Sequence, residues 1–201
     1  MADTATAPAP PGLRAWVALA GVLGAGSVVA WWLPTAWFDW QPERAFTEPW
    51  RSLTAACVHW SEGHLIANLG AAALVAAFGW AAALPRAAAL AWLLAWPLTH
   101  LGLLARPELA HYGGLSGVLH AGMAVATLWL VVAARGGRRV VGALVGAGFL
   151  AKLLSERPWG PALQQAEGWS IALAPIGHAT GAIAGFVCAA ALLAWGKNRG
   201  R

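Results

Sequence analysis

The chain has 201 residues, of which 59% are hydrophobic and 10% are charged, and it carries a formal net charge of +5. Soluble domains contain about 25% charged residues, so this composition excludes an ordinary soluble protein and predicts an integral membrane protein. The basic residues lie mainly at the ends of apolar segments, which favours a role in membrane topology over nucleic-acid binding. Two cysteines, Cys57 and Cys188, are too few for a disulfide framework.

Six apolar segments follow one another along the chain, and most are long enough to cross a ~30 Å hydrocarbon layer. They predict an all-α polytopic membrane protein with helices at 13–33, 64–84, 87–105, 116–134, 140–154 and 175–195. Residues 1–12 are expected to be a short disordered cytoplasmic tail, 13–196 the membrane domain and 197–201 a basic cytoplasmic tail. The first loop, 34–63, mixes Trp with charges and is expected to sit in the interface. Pro97 is expected to kink or weaken the third helix.

The distribution of charge predicts the orientation of these helices. Six spans return the chain to its starting side, and that side would hold most of the basic residues: Arg14, Arg86, Arg135, Arg138, Arg139, Lys197, Arg199 and Arg201. Every acidic residue except Asp3 falls on the other side. The positive-inside rule therefore predicts cytoplasmic termini. His64, Ser116 and His178 then lie at similar depth, near the extracytoplasmic face.

A serine between glycines opens the fourth helix, in the sequence Gly114-Leu-Ser116-Gly117. Glycines allow a sharp turn and a close approach of another chain. The first turn of a helix offers unpaired N–H groups and a positive dipole end, which can hold an oxyanion. Ser116 is therefore a candidate nucleophile. The alternative is a serine that only caps the helix.

Two further helices carry polar residues that could act with Ser116. His64 and Asn68 lie four residues apart on one helix face. His178 precedes Gly181 and Gly185, whose spacing permits close approach to a neighbouring helix, expected to be the fourth. A histidine beside a serine can act as its general base, and a dyad is predicted because no Asp or Glu lies within the membrane segments. Each residue alone could instead serve interhelical packing.

A metal site is a rival interpretation, because the chain contains six histidines. Their spacings form no HEXXH-like ligand pair, and no carboxylate accompanies them on a helix face. The sequence therefore predicts no metal, and the serine chemistry needs no other cofactor.

Several stretches together resemble the rhomboid family of intramembrane serine proteases. EPWR at 48–51 is similar to its Trp-Arg motif, HWSEGHLIAN at 59–68 to its HXXXXHXXXN signature, GLSG at 114–117 to its nucleophile motif and HATGAIAG at 178–185 to its base motif. The resemblance implies a six-helix rhomboid core with Ser116 as nucleophile and His178 as general base. It also implies an oxyanion hole of His64, Asn68 and the Ser116 N–H. Supporting roles fall to Trp50, Arg51, Gly114, Gly117, Gly181 and Gly185.

One position departs from the commoner rhomboid pattern. Many rhomboids carry an aromatic residue, often Tyr, four positions after the nucleophile, where this chain has His120. This form resembles the rhombosortase subgroup of small bacterial rhomboids. The resemblance implies an inner-membrane enzyme that cleaves the C-terminal transmembrane anchor of exported proteins bearing a Gly-Gly motif, an apolar helix and a basic tail. Its partners would be these substrates and membrane lipids. His120 could be a stacking partner, a proton relay or a packing residue.

Three other functions remain open at this point. The chain could be a general rhomboid that accepts ordinary single-pass substrates, or a non-catalytic rhomboid-like protein that binds membrane helices. The presence of both Ser116 and His178 weighs against the second. A transporter or channel is disfavoured because no intramembrane carboxylate or inverted repeat is evident.

Overall fold

A computed structural model describes residues 11–199 of the chain. Seven α-helices lie in this part: α1 Pro11–Ala30, α2 Arg51–Thr54, α3 Glu62–Ala81, α4 Arg86–Leu101, α5 Ser116–Ala133, α6 Gly137–Ser155 and α7 Pro175–Arg199. Most of the predicted tail, 1–10, and residues 200–201 fall outside the described residues. Residues 11–12 begin α1, and 197–199 end α7, so these parts of the predicted tails are helical.

Five of the helices are long and apolar enough to cross a membrane, which makes the chain a multi-pass helical membrane protein. These candidate spans are Gly12–Ala30, Glu62–Ala81, Arg86–Ala105, Ser116–Ala133 and Pro175–Arg199. Six spans were predicted, and α6 is not among the five, although it has 19 residues. Arg138, Arg139 and Lys152 lie within α6 and lower its apolar character.

The helix boundaries follow local signals in the sequence. The Ser61 side chain caps α3 by accepting a hydrogen bond from the backbone N–H of His64 at 3.2 Å, so this helix begins two residues earlier than predicted. Pro85 precedes α4, and Gly136, with φ of +58°, separates α5 from α6. The third predicted helix was expected to bend or weaken at Pro97, and α4 continues past this proline to Leu101.

Two buried tryptophans anchor the centre of the helix bundle. The rings of Trp16 on α1 and Trp92 on α4 lie 4.5 Å apart, and neither residue is exposed. Each indole N–H donates to a main-chain carbonyl of another helix, Trp16 to Val75 at 3.0 Å and Trp92 to Val118 at 2.8 Å. A buried indole needs such a partner, so these bonds fix how α1, α3, α4 and α5 pack.

The most extensive helix pair is α5 with α7. A Cβ added at Gly181 would overlap the Gly117 carbonyl oxygen, and one added at Gly185 would overlap the Ala121 carbonyl oxygen. Only glycine permits this backbone approach. The predicted glycine face of α7 therefore packs on α5, and this contact brings the beginnings of the two helices together.

The first loop has structure of its own. It contains α2 and short 3₁₀ turns at Thr35–Trp37, Pro42–Arg44 and Ala55–Cys57. Trp40 and Tyr112 exchange two backbone hydrogen bonds, of 2.7 and 2.9 Å. Because Tyr112 lies four residues before Ser116, this bridge joins the first loop to the segment that leads into α5.

Candidate active site

Ser116 is the first residue of α5, and His178 lies in the first turn of α7. The Ser116 Oγ is 2.9 Å from the His178 Nε2. This is hydrogen-bond distance, and it is the separation that a nucleophile and its general base require. The turn before Ser116 depends on Gly114, whose φ of +130° is a conformation that L side chains rarely adopt.

The second ring nitrogen of His178 also has a partner, which the sequence did not predict. His178 Nδ1 lies 2.8 Å from Glu156 Oε2, just beyond the end of α6. A dyad was predicted because no carboxylate lies within the membrane segments. Glu156 is consistent with that premise, because it lies at the C-terminal cap of α6, but its side chain nevertheless reaches His178. The structure therefore contains a Ser–His–Glu arrangement.

His120 stacks on His178, with the two ring centres 4.1 Å apart and the planes 6° from parallel. Its Nδ1 lies 2.7 Å from the main-chain oxygen of Ser116, one turn earlier on α5. Its Nε2 lies 2.7 Å from the Lys152 Nζ, which in turn is 2.6 Å from Glu156 Oε1. His120 is thus in stacking contact with His178 and makes two polar contacts.

Glu156 is held as an anion by its neighbours. Partial burial alone would raise the pKa of its carboxyl group, but the hydrogen bond from His178 and the nearby Lys152 ammonium outweigh burial and lower the pKa to about 2. The charged and titratable groups that face it are His178 on α7 and Lys152 on α6, with His120 of α5 next to both. The carboxylate therefore stays ionised at neutral pH.

The predicted oxyanion residues divide into two layers. His64 lines the cavity in front of Ser116, and its Nδ1 has no hydrogen-bond partner among residues 11–199. Asn68 is buried behind it and is not among the lining residues of that cavity. Its Nδ2 lies 3.1 Å from the Nε2 of His59, whose ring packs 4.9 Å from that of His64. His64 and Ser116 thus line the same cavity, whereas Asn68 lies behind it and contacts His59.

His59 links this layer to the first loop. Its Nδ1 lies 3.1 Å from the Cys57 carbonyl oxygen, so this nitrogen carries the proton and Nε2 accepts from Asn68. Burial lowers the pKa of His59, while its bond to the Cys57 carbonyl acts in the opposite direction. A neutral His59 is consistent with both contacts.

A cavity of about 50 Å³ opens in front of Ser116 and His178. This volume exceeds the ~15 Å³ that one water molecule needs. The loop between α6 and α7 forms one wall through Leu163 and residues 171–174, and Trp60 and Tyr112 belong to the lining as well. Burial raises the pKa of the Tyr112 hydroxyl to about 12, although Ser116 lies within hydrogen-bonding reach of it. Tyr112 therefore remains protonated at neutral pH.

Trp50 and Arg51, the two residues predicted to support the first loop, differ in burial and in their contacts. Arg51 is 3% exposed, and its guanidinium donates to the carbonyl oxygens of Ala36 and Asp39 and to the carboxylates of Asp39 and Glu48. Trp50 is half exposed. Arg51 thus ties the first loop together through buried charge, whereas the Trp50 side chain borders an open groove at the surface.

The supporting glycines allow neighbouring side chains and backbone to approach them closely. A Cβ at Gly114 would come within 2.7 Å of the His64 ring, and one at Gly117 would come within 2.8 Å of the Gly177 carbonyl oxygen. Gly181 and Gly185 make room for α5, as described above. Glycine at these positions lets His64 and His178 approach Ser116 from both sides.

His120, Glu156 and His178 offer ligand atoms within 4.8 Å of one another, so the donor set of a metal site is present. The arrangement fits hydrogen bonding better than coordination. A metal binds an imidazole nitrogen in the plane of its ring, and these two rings are stacked face to face. The Lys152 ammonium also occupies the position between His120 and Glu156.

Sequence reasoning missed Glu156, Lys152, Tyr112 and the positioning role of His59. One signal for the first two was present, because Lys152 and Glu156 are spaced i, i+4 at the end of α6 and form an ion pair on one helix face. The chain matches no protein-family model, and no curated protein matches it.

Proposed function

We propose that the protein is an intramembrane serine endopeptidase of the rhomboid family, with α6 as the fifth of six spans. The proposed substrates are exported proteins with a C-terminal transmembrane anchor of the Gly-Gly sorting type, as in the rhombosortase subgroup. The observation that carries the proposal is the 2.9 Å contact between Ser116 Oγ and His178 Nε2 at the start of two membrane helices. A hydroxyl paired with an imidazole in this way is the basis of acyl-transfer chemistry.

The proposed reaction uses these contacts. His178 Nε2 takes the hydroxyl proton as Ser116 Oγ attacks the scissile carbonyl carbon. The oxyanion is stabilised by His64, which lines the cavity, and by the Ser116 backbone N–H at the start of α5. The C–N bond then breaks, and His178 returns the proton to the leaving amine. Water attacks the acyl ester with His178 again as base, which releases the acid and restores Ser116.

The membrane setting supports a transmembrane substrate. The cavity lies at the ends of candidate membrane helices and has room for water, which hydrolysis needs. An intact substrate helix hides its amide bonds, so the substrate must unwind near the cavity before attack. The excess of basic residues on the opposite side supports cytoplasmic termini and an active site that opens to the extracytoplasmic side. The resemblance to rhombosortases implies that the membrane is the bacterial inner membrane.

The test is cleavage in proteoliposomes of a reporter that carries an exported domain, a Gly-Gly motif, one apolar helix and a basic tail. We expect the wild type to cleave it, and Ser116→Ala and His178→Ala to lose detectable cleavage. Ser170→Ala, an exposed serine in the loop after α6, is the matched control and should retain full activity.

The outcomes separate the rival functions. Cleavage that falls when Gly-Gly is replaced supports the sorting-type substrate. Cleavage that ignores Gly-Gly points to a general rhomboid. A wild type that cleaves neither this reporter nor other single-pass substrates, yet binds their helices, overturns the protease and favours a helix-binding protein.

A further inference from the structure

Five residues, Ser116, His178, Glu156, Lys152 and His120, form a closed ring of hydrogen bonds. Ser116 Oγ contacts His178 Nε2, and His178 Nδ1 contacts Glu156 Oε2. Lys152 Nζ bridges Glu156 Oε1 and His120 Nε2, and His120 Nδ1 contacts the Ser116 main-chain oxygen. The ring therefore begins and ends on the nucleophile.

One assignment of protons satisfies every contact in this ring. The Ser116 carbonyl can only accept, so His120 Nδ1 donates and His120 Nε2 accepts from the Lys152 ammonium. An ionised Glu156 can also only accept, so it receives one bond from Lys152 and one from His178 Nδ1–H. His178 Nε2 is then unprotonated and faces the Ser116 hydroxyl. This is the tautomer that a general base requires.

We propose that Glu156 is a positioning residue that completes a Ser116–His178–Glu156 triad, with Lys152 and His120 holding its carboxylate and the imidazole in place. The inference rests on the proposed function, because it concerns the same reaction. Glu156 keeps His178 in the tautomer with a free Nε2. It also stabilises the imidazolium that forms when Ser116 gives up its proton, and it remains an anion throughout.

The contact between His178 and Glu156 differs from an exposed surface ion pair in its partial burial and in the two helices that it joins. The side chains of His178 and Glu156 are 13% and 25% exposed, so their interaction is partly shielded from water. Lys152 is more open, at 48%. Glu156 directly follows α6, which makes few contacts with α7. The carboxylate consequently links two helices that otherwise touch little.

The experiment measures steady-state cleavage of the reporter in proteoliposomes, together with labelling of Ser116 by a fluorophosphonate probe. We expect Glu156→Gln to lower kcat by about 10²–10⁴-fold with little change in KM, because an amide can present an N–H to Nδ1 and favour the wrong tautomer. Glu167→Gln, an exposed glutamate in the same connection, is the matched control and should behave as wild type. Labelling should slow in parallel with kcat.

Further variants distinguish a positioning role of Glu156 from a loss of folding. Glu156→Asp keeps an acceptor-only carboxylate and should retain more activity than Glu156→Gln, although its side chain is shorter by one methylene. Lys152→Met should lower kcat less than Glu156→Gln, whereas Lys197→Met, the exposed lysine near the end of α7, should have no effect. A merely structural Glu156 would instead lower the folded fraction and leave the kcat of the folded enzyme unchanged.

The result that overturns the inference is a folded Glu156→Gln with kcat within about threefold of wild type while Ser116→Ala is inactive. That result would leave the proposed protease intact with a Ser–His dyad. If the wild type neither cleaves nor labels, the protease and the positioning role fail together.

Discussion

Gly181 tests whether the contact between α5 and α7 sets the geometry of the candidate active site. A Cβ at this position would overlap the Gly117 carbonyl oxygen and would lie 2.7 Å from the Gly117 carbonyl carbon. Both partners are helical main chain, so no side-chain rotation can relieve the clash. Ordinary Cβ contacts begin at 3.4 Å. In Gly181→Ala, α7 must therefore retreat from α5 by about 1 Å.

The size of this retreat predicts two separate effects. Overpacking of a closely packed site costs about 1–3 kcal/mol of stability. His178 lies one turn before Gly181, so the same shift would lengthen the 2.9 Å contact between Ser116 Oγ and His178 Nε2 beyond hydrogen-bond distance. A misplacement of ~1 Å in a catalytic group costs about 10²-fold in rate. We expect Gly181→Ala to lose activity by about this factor even where it remains folded.

Thermal unfolding in detergent and reporter cleavage in proteoliposomes measure the two effects. Gly196→Ala is the matched control, because it is the same change on the same helix and a Cβ there meets no atom within 4 Å. Alanine is the better helix former by about 1 kcal/mol, so this control should be unchanged or slightly stabilised. Full activity and stability in Gly181→Ala would refute the view that backbone contact between α5 and α7 positions His178.

Three further changes test other parts of the structure. Arg51→Met should destabilise the protein by about 3–5 kcal/mol in thermal unfolding, because it leaves the buried Asp39 carboxylate without its guanidinium. Arg44→Met, at an exposed position, should cost far less stability. Equal losses in the two variants would contradict a stabilising role for the buried Arg51 ion pair. His120→Phe keeps a ring to stack on His178 but removes both polar contacts, so kcat for reporter cleavage should fall by about tenfold, and an unchanged kcat would reduce His120 to packing. The lowered pKa of Glu156 stabilises the fold fully above its usual value near 4.5, and this contribution is lost as the pH falls through about 2. The melting temperatures of the wild type and Glu156→Gln should therefore converge over that window, and a gap that persists at pH 2 would refute the assignment.

Much of the architecture could be read from the sequence because membrane helices are signalled locally. The apolar segments, Pro85 and the glycines between helices predicted most of the helices to within a few residues. The alternation of membrane spans predicted that Ser116 and His178 lie at similar depth, and the spacing of Gly181 and Gly185 predicted the face of α7 that packs on α5. These features depend on composition and period, which a single sequence contains.

Glu156 could not be predicted in the same way. It lies 22 residues before His178, in a polar connection without periodicity, and its contact with the histidine depends on how the end of α6 lies against α7, which no local pattern signals. For Asn68 the sequence predicted the helix face but not the partner of the side chain. Its spacing from His64 placed both on one face of α3, yet the side chain was taken up by His59, a contact that depends on how the first loop folds back.

The ring around His178 also constrains how this sequence can change over time. Glu156 and Lys152 carry opposite charges beside a histidine that becomes positive during attack. A chain that lost the carboxylate but kept the ammonium would place a second positive charge against that imidazolium and oppose proton transfer. The two positions are therefore expected to vary together among homologues, so that a chain with a neutral residue at position 156 also lacks the lysine at 152.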